Sequence, residues 1–397
     1  MNKPIEKLPT DSTDLLYRGL TRQTFSFYQR ANHALVWSRS GELTLLADTL
    51  IQFLTDLPYR GLDPASYRLA EIDSLVHLQN ETRNLTRVDA LLTDAFLLAS
   101  YRLHFGTTIT QRDTTAIALL HRVIQNGDLT EQLESMEPGA LGYRLLKRHL
   151  GFLLDSMHVL GSNGVEHQIQ IISRNMDRWR AYPVVGTRYI LVNIPSFTLQ
   201  VVSNDSVVLE SAVIVGTPET PTPIHSSTVE CFVTYPYWNV PRKIAIEEYL
   251  PAIQKDSTFL SKNNFDVLDR KGEVMIADSV PWKTFTKNFF PVRLRQREGV
   301  DNSLGVLKFV FDNPYAVYVH DTNAKGLFKK KVRAFSHGCI RLEKSIELAH
   351  YLATGGAATK SAQVEKYLKE QTRHVVNLAV PMPIYVRYFT AMDVNGE

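Results

Sequence analysis

Thr198-Leu199-Gln200-Val201-Val202 and Ser206-Val207-Val208-Leu209, joined by Ser203-Asn204-Asp205, read as two strands about a tight polar turn. Tyr189 to Val192 precedes them and Ala212 to Val215 follows, so the chain is building a sheet here. Upstream the period is different. From Leu15 to about Arg180 the spacing is helical, with Leu46, Leu50, Phe53, Leu54 and Leu57 on one face and Val88, Leu91, Leu92, Ala95, Phe96 and Ala99 on another. Such stripes face a core. The change of period near Tyr182-Pro183 sets the expected fold class, α+β and multidomain: a mainly helical domain over residues 1–182, then a β-rich domain over residues 183–397.

Further strands are expected at Val306 to Phe311, Ala316 to His320 and Ile384 to Phe389. Between Pro241 and Gly299 the sequence turns to helix formers and charge, including Ile244 to Tyr249 and Pro251 to Lys255. This predicts a subdomain over residues 241–300 inserted into the β-domain. An insertion of that kind can act as a lid that keeps water from a reactive intermediate.

The 397 residues are 44% hydrophobic and 21% charged, ordinary for a globular chain with room for two or three domains. A formal charge of +3 from 44 basic and 41 acidic residues is too even to argue for nucleic acid. No stretch approaches the roughly 18 apolar residues of a membrane-spanning helix, and Met1-Asn2-Lys3-Pro4 opens onto polar residues without a signal peptide's apolar region. Lys329-Lys330-Lys331 with Arg333 is either a solvated loop or an attraction for an acidic substrate. Cys231 and Cys339 alone leave the redox compartment undetermined.

The chemistry is carried by Ser336-His337-Gly338-Cys339-Ile340-Arg341. A thiol attacks carbonyl carbon as its thiolate, which a neighbouring imidazole or positive field makes available near neutral pH. Cys339 is therefore the candidate nucleophile. Alternation along Ala316-Val317-Tyr318-Val319-His320 puts Tyr318 and His320 on one face, which makes His320 the candidate base. Glu343 to Thr354 reads as a helix with Ile346, Ala349 and Leu352 on one stripe, placing the thiol in a loop before a helix N-terminus, where backbone amides favour anions. Gly338 lets the chain pass close to a reacting carbonyl, and the amides of Gly338 and Cys339 are candidate oxyanion donors. His337 either tunes the thiolate or supports the loop. Ser336 and Arg341 are assigned to substrate, Arg341 either gripping a carboxylate or pinning the loop. Tyr318 and Trp238 are either groove walls or core. Cys231, in Cys231-Phe232-Val233, reads as a small buried hydrophobe. A metal site at His320, His337 and Cys339 is the competing reading, but a second Cys or His pair at recognisable spacing is lacking. No metal and no cofactor are expected.

These residues resemble the signature of the L,D-transpeptidases, whose catalytic domain is also called the YkuD domain: His320-Asp321-Thr322, a spacer, then Arg333 to Arg341. Tyr235-Pro236-Tyr237-Trp238-Asn239-Val240-Pro241, Arg295-Gln296 with Gly299, Asn302, Leu304 and Gly305, Val192-Asn193-Ile194-Pro195 and Val215-Gly216-Thr217-Pro218 are similar to stretches of the large periplasmic subgroup. Tyr17-Arg18-Gly19-Leu20, Trp37 and Tyr59-Arg60-Gly61-Leu62-Asp63-Pro64 resemble the scaffold domain that precedes its catalytic domain, although Gly-Leu-Asp-Pro alone is an ordinary turn. Two positions depart from the pattern, Asn323 and Glu298, each standing where Pro is common. The segment from Gly151 to Ile172 is also too short for the peptidoglycan-binding module many relatives carry.

The resemblance implies a helical scaffold domain, a YkuD-type domain with a capping subdomain, and peptidoglycan cross-linking. Cys339 would form a thioester with a donor tetrapeptide stem, releasing D-alanine, and a neighbouring stem amine would resolve it. His320 would relay the proton, its other nitrogen held by a backbone carbonyl such as that of Asp321, whose side chain reads as a turn-former. Expected partners are peptidoglycan stem peptides, carbapenem inhibitors and peripheral membrane or cell-envelope proteins. The expected location is the periplasm or cell envelope, with a leader or anchor removed. The same residues would serve an L,D-carboxypeptidase or D-amino-acid exchange enzyme. A non-catalytic cell-wall scaffold is the reading from another class.

Overall fold

The computed structural model describes residues 19–77, 82–107, 115–160, 164–357 and 359–392. Met1 to Pro4, Leu15, Tyr17 and Arg18, singled out in the sequence, lie outside them. The chain divides into two compact units at Gly186/Thr187, and the residues from Phe389 onward group with the first. The division falls four residues past the one expected, and the second unit ends at Tyr388 rather than at the C-terminus. The reason is local: Phe389 stacks on Trp179 at 4.2 Å between ring centroids, and the Thr390 amide donates to Asn175 Oδ1 at 2.8 Å.

The first unit holds α1 (Arg22–Arg30), a hairpin of β1 (Ser38–Arg39) and β2 (Glu42–Leu43), α2 (Leu45–Thr55), α3 (Leu69–His77), α4 (Thr82–Phe105), α5 (Thr115–Asn126), α6 (Leu129–Glu134), α7 (Leu141–Leu160) and α8 (Val165–Ala181). Thr21 and Thr44 cap α1 and α2 by accepting from the amides of Thr24 and Ala47, satisfying donors the first turn leaves free. The expected stripe of α4, Val88 to Ala99, is buried in a core shared with Leu50, Phe53, Leu54 and Leu57. Asp89 is buried on the same helix and accepts from Tyr28 Oη, Ser38 Oγ and the amides of Val36 and Trp37, tying the hairpin region to α4. Arg60 lies 4.3 Å from the Phe53 ring centroid and bridges Glu134 and Glu137, so its turn motif is structural.

The second unit holds β3 (Arg188–Asn193), β4 (Thr198–Ser203), β5 (Ser206–Gly216), β6 (His225–Thr234), β7 (Trp238–Asn239), α9 (Arg242–Ile244), α10 (Leu250–Lys255), α11 (Phe259–Lys262), β8 (Phe265–Leu268), β9 (Val274–Met275), β10 (Arg293–Gln296), β11 (Leu307–Phe311), β12 (Val319–His320), β13 (Ala334–Ser336), β14 (Ile340–Leu342), α12 (Ser345–Ala353), α13 (Ala362–Glu370) and β15 (His374–Arg387). Its main sheet runs β13-β5-β14-β12-β11-β6-β15-β3-β4, and β4 also pairs with β5, so the strands from β5 to β4 close into a ring. Asn204 and Asp205 both have positive φ (48° and 61°), the backbone a twist-matched two-residue hairpin requires. The segments 206–209 and 212–215, read as separate strands, form the single strand β5.

Between β6 and β11 the chain builds the inserted subdomain. Besides α9, a π turn at Ala245–Tyr249, α10 and α11, it carries its own sheet, β7-β10-β8-β9. That sheet was not anticipated, because its strands have only two to four residues. Its pairing of Arg295 with Asn239 and Gln296 with Trp238 joins two of the quoted motifs. Trp238 through Leu304 share one apolar core, so the subdomain reaches slightly past 241–300 at both ends.

Candidate active site

Cys339 is the last residue before β14. Val319 pairs with Ile340 and His320 with Arg341 in parallel register, and the Ile340 amide donates to the Tyr318 carbonyl at 3.0 Å. Val317, Val319, Ile340 and Leu342 point into the ring's apolar core. Tyr318, His320, Cys339 and Arg341 therefore share the opposite face, as the alternation predicts. Regular strand begins only at Val319, since Ala316 sits at a φ of 54°.

His320 is buried, and its Nδ1 donates to the Asp321 carbonyl, as expected. That bond fixes the tautomer with Nε2 unprotonated, and Nε2 makes no hydrogen bond among the described residues. Burial, aided by the nearby Arg341 and Lys308 cations, pushes the imidazole down to about 3. The Asp321 side chain orients the turn: it accepts from the Val306 amide at 3.0 Å, from Ser345 Oγ at 3.0 Å and from Lys325 Nζ. Gly305, at φ 60°, is required beside it, because a Cβ there would overlap the Asp321 carboxylate.

The thiol loop is held from three sides. Ser336 Oγ donates to the Cys339 carbonyl at 2.5 Å and accepts from the Gly338 amide at 3.1 Å. Thr222 Oγ1 donates to the Gly338 carbonyl and accepts from the Gly216 amide, each at 2.9 Å. The Thr217 amide donates to the Ser336 carbonyl at 3.0 Å. Gly338 sits at φ 114°, a backbone that a residue with a Cβ adopts only under strain. Ser336 is thus a buried organiser of the loop, and the Gly338 amide already donates to its Oγ.

Two further expectations change. Burial pushes the Cys339 thiol up rather than down, with Tyr318, Lys308 and Arg341 opposing it. The thiol also does not adjoin a helix N-terminus, because β14 intervenes before α12. On α12 the buried face is Leu348, Ala349 and Leu352, with Ile346 turned to solvent.

Among the residues around the sulfur, the Tyr318 phenol is near enough to Cys339 and to the Trp238 indole for both to bear on its ionisation, and burial keeps it protonated. Trp238 is buried in the core of the inserted subdomain, against which Tyr318 packs. The Tyr318 ring meets the His320 ring edge-on at 5.6 Å between centroids. His337 faces the inserted subdomain, its Nε2 2.7 Å from Glu248 Oε1. Arg341 is half-buried near Tyr249 and has no carboxylate partner among the described residues. Arg333 donates to the carbonyls of Phe197, Val213 and Lys330, so it anchors the approach to the loop. Asn323 and Glu298 are used, Asn323 Nδ2 donating to the Asp301 carbonyl at 2.8 Å and Glu298 accepting from Tyr237 Oη at 3.4 Å.

Sequence reasoning missed Lys308, Thr222 and Glu248. Lys308 faces the thiol's side of the sheet, opposite His320 in the β11–β12 register. Alternation along Leu307-Lys308-Phe309 marks it as outward-facing, but only the pairing says toward what. Among the described residues no three His, Cys, Asp or Glu side chains gather as metal ligands would, and no helix is long and apolar enough to cross a membrane.

Residues 187–365 match the family model described as L,D-transpeptidase catalytic domain, YkuD, and residues 22–150 match the Scaffold domain. A Haemophilus influenzae protein provisionally named an L,D-transpeptidase is 36% identical over 228 residues, 57% of this chain and 46% of that protein. The matched region thus spans under half the length of that relative. Among solved structures, an L,D-transpeptidase from Mycobacterium smegmatis is 16% identical over 51% of this chain and 58% of its own, with a TM-score of 0.24. L,D-transpeptidase 3 from Mycobacterium tuberculosis, in complex with a faropenem-derived adduct, is 14% identical over 51% of this chain and 60% of its own, with a TM-score of 0.26.

Proposed function

We propose a reaction for a chain that carries a YkuD L,D-transpeptidase catalytic domain behind an N-terminal Scaffold domain: Cys339 captures an acyl group from a peptidoglycan stem and passes it to an amine. The observation that carries this reading is the shared face of β12 and β14. The thiol and a neutral imidazole stand on that one face of adjacent strands, the ring's Nδ1 tied to the Asp321 carbonyl and its Nε2 left to take a proton.

At rest both groups are neutral, since burial raises the thiol and lowers the imidazole. His320 Nε2 takes the thiol proton as sulfur attacks the carbonyl of the stem's third residue, forming the C–S bond. The C–N bond to the terminal D-alanine then breaks, and the imidazolium gives its proton to the departing amine. An imidazole that binds protons this weakly is a ready donor. The acceptor amine attacks the thioester, His320 takes a proton from it, and the C–S bond breaks to expel the thiolate, which the imidazolium reprotonates. Cys339 N–H remains the candidate oxyanion donor, and Arg341 would grip a stem carboxylate through its planar fork. The inserted subdomain, joined to the thiol loop by His337 and Glu248, acts as the cap that limits water at the thioester. The substrate puts the enzyme in the cell envelope, facing the periplasm.

Incubation with purified tetrapeptide stems, read by mass spectrometry, tests this. Cross-linked dimers are expected. Tripeptide alone would make the chain a carboxypeptidase, and neither product nor carbapenem adduct at Cys339 would leave it a wall-binding scaffold.

A further inference from the structure

Lys308 is half-buried on β11, paired with His320 on β12. Its ammonium lies 3.9 Å from the centroid of the Tyr318 ring, whose phenol interacts with the Cys339 thiol. Among the described residues no carboxylate lies within ion-pair distance of it. The charged and titratable groups around it are Tyr318 just before β12 and His320 on it, Cys339 just before β14 and Arg341 on it, Cys231 on β6, with Glu230 beside it, and Arg373 before β15. Tyr249 of the cap faces Arg341. A partly desolvated ammonium with cationic neighbours and no acid is costly unless something nearby becomes negative. Of the groups facing it, Cys339 is the one whose ionisation the chemistry requires.

We infer that Lys308, held over the Tyr318 ring on the strand beside His320, is the fixed positive charge that steadies the Cys339 thiolate. It is a positioning residue, acting on the nucleophile through its field and through Tyr318. Its ammonium takes the place an imidazolium fills in a thiolate–imidazolium pair, because His320 is held neutral by its burial. The same arrangement explains an otherwise unpartnered lysine on a strand whose neighbouring outward positions are apolar or small. Burial lowers Lys308, and the thiols are the groups that pull it back toward the charged form.

The inference rests on Cys339 as nucleophile, and its test reads the thiol itself, so the two fail separately. The full chain carrying Cys231→Ala is alkylated with iodoacetamide from pH 5 to 10, alone and with Lys308→Met, Lys308→Gln or Lys308→Arg, and labelling at Cys339 is followed by mass spectrometry. Lys308→Met and Lys308→Gln are expected to move the profile's midpoint upward by about one unit, lowering the rate at pH 7 about tenfold, with melting temperatures showing both remain folded. Lys308→Arg, which keeps the charge, should restore the parent profile within a few tenths of a unit. Overlapping profiles for the parent and the folded neutral variant would overturn the inference, as would an arginine variant that behaves like methionine; either makes Lys308 a prop for Tyr318. A parent chain that alkylates normally yet yields no acyl-enzyme with stems would instead overturn the proposed reaction and leave the role of Lys308 intact.

Discussion

Asp89 in the helical unit and Asp321 in the β unit are both buried, and the two are used differently. Asp89 in the helical unit accepts from Tyr28, Ser38 and the amides of Val36 and Trp37, and every one of those donors belongs to the framework. Asp321 in the β unit accepts from Val306, Ser345 and Lys325, but its backbone carbonyl also holds a ring whose second nitrogen is left open. The carboxylates do the same work, converting buried donors from liabilities into fixed geometry. What differs is the remainder. Among the described residues, the donors around Asp89 all belong to the framework, whereas the ring that Asp321 holds shares its face of the sheet with a thiol and an ammonium without an acid partner. A buried polar cluster is structural when its bonds close on themselves and points to chemistry when one position stays open.

That contrast can be broken at several points. The largest effect is expected from Cys339→Ala, which should abolish covalent carbapenem labelling measured by intact-mass spectrometry while the circular dichroism spectrum is unchanged. His320→Ala should slow acylation about a hundredfold or more at neutral pH, since positioned proton transfer typically contributes roughly 10²–10⁴; stopped-flow acylation within threefold of the parent would remove it from the mechanism. Asp321→Ala should act on both properties, slowing acylation about tenfold by loosening the turn that holds His320 and lowering stability by about 1–3 kcal/mol through orphaned donors. Asp89→Ala should lower the stability of the helical unit by about 1–3 kcal/mol in urea titration and leave acylation at Cys339 within twofold. An acylation defect there as large as that of Asp321→Ala would erase the distinction.

The smallest effect is a displacement along the pH axis. The proposed reaction needs His320 neutral, and the folded site holds it so to about 3, well below the ordinary 6.5. The acid limb of the acylation profile should therefore lie well below pH 6 rather than near 6.5, provided the protein stays folded. The stability sign follows from the same shift: the unfolded chain takes up a proton at this ring near pH 6.5 and the folded chain does not, so stability present above that pH is lost as pH falls toward 3. Comparing urea midpoints of the parent and His320→Gln across that range checks it; parallel curves would count against the buried, neutral ring.

Much of this was legible in the residues. The helical stripes of α2 and α4, the hairpin at Asn204-Asp205, the outward face shared by Tyr318 and His320, and the thiol itself follow from period and local chemistry. The carbonyl partner of His320 was also within reach, because it is the next residue along the chain. The part Ser336 plays in the loop was not legible, for a different reason. A serine near a candidate nucleophile suggests a substrate contact, and only the structure shows its two bonds, to residues two and three positions away, that close the loop. The sheet of the inserted subdomain escaped because strands of two to four residues carry too little alternation to stand out.

The chain's own order of residues determined which groups are chemically capable and which side of their strand they occupy, since side-chain direction in an extended segment is a local property. Only the tertiary structure decided their electrical state. The rise in the Cys339 thiol, the fall in the His320 ring and the isolation of Lys308 all come from what β11, β12, β14 and the inserted subdomain exclude when they pack together. Desolvation and strand register are set by segments far apart in sequence, and no short motif encodes either.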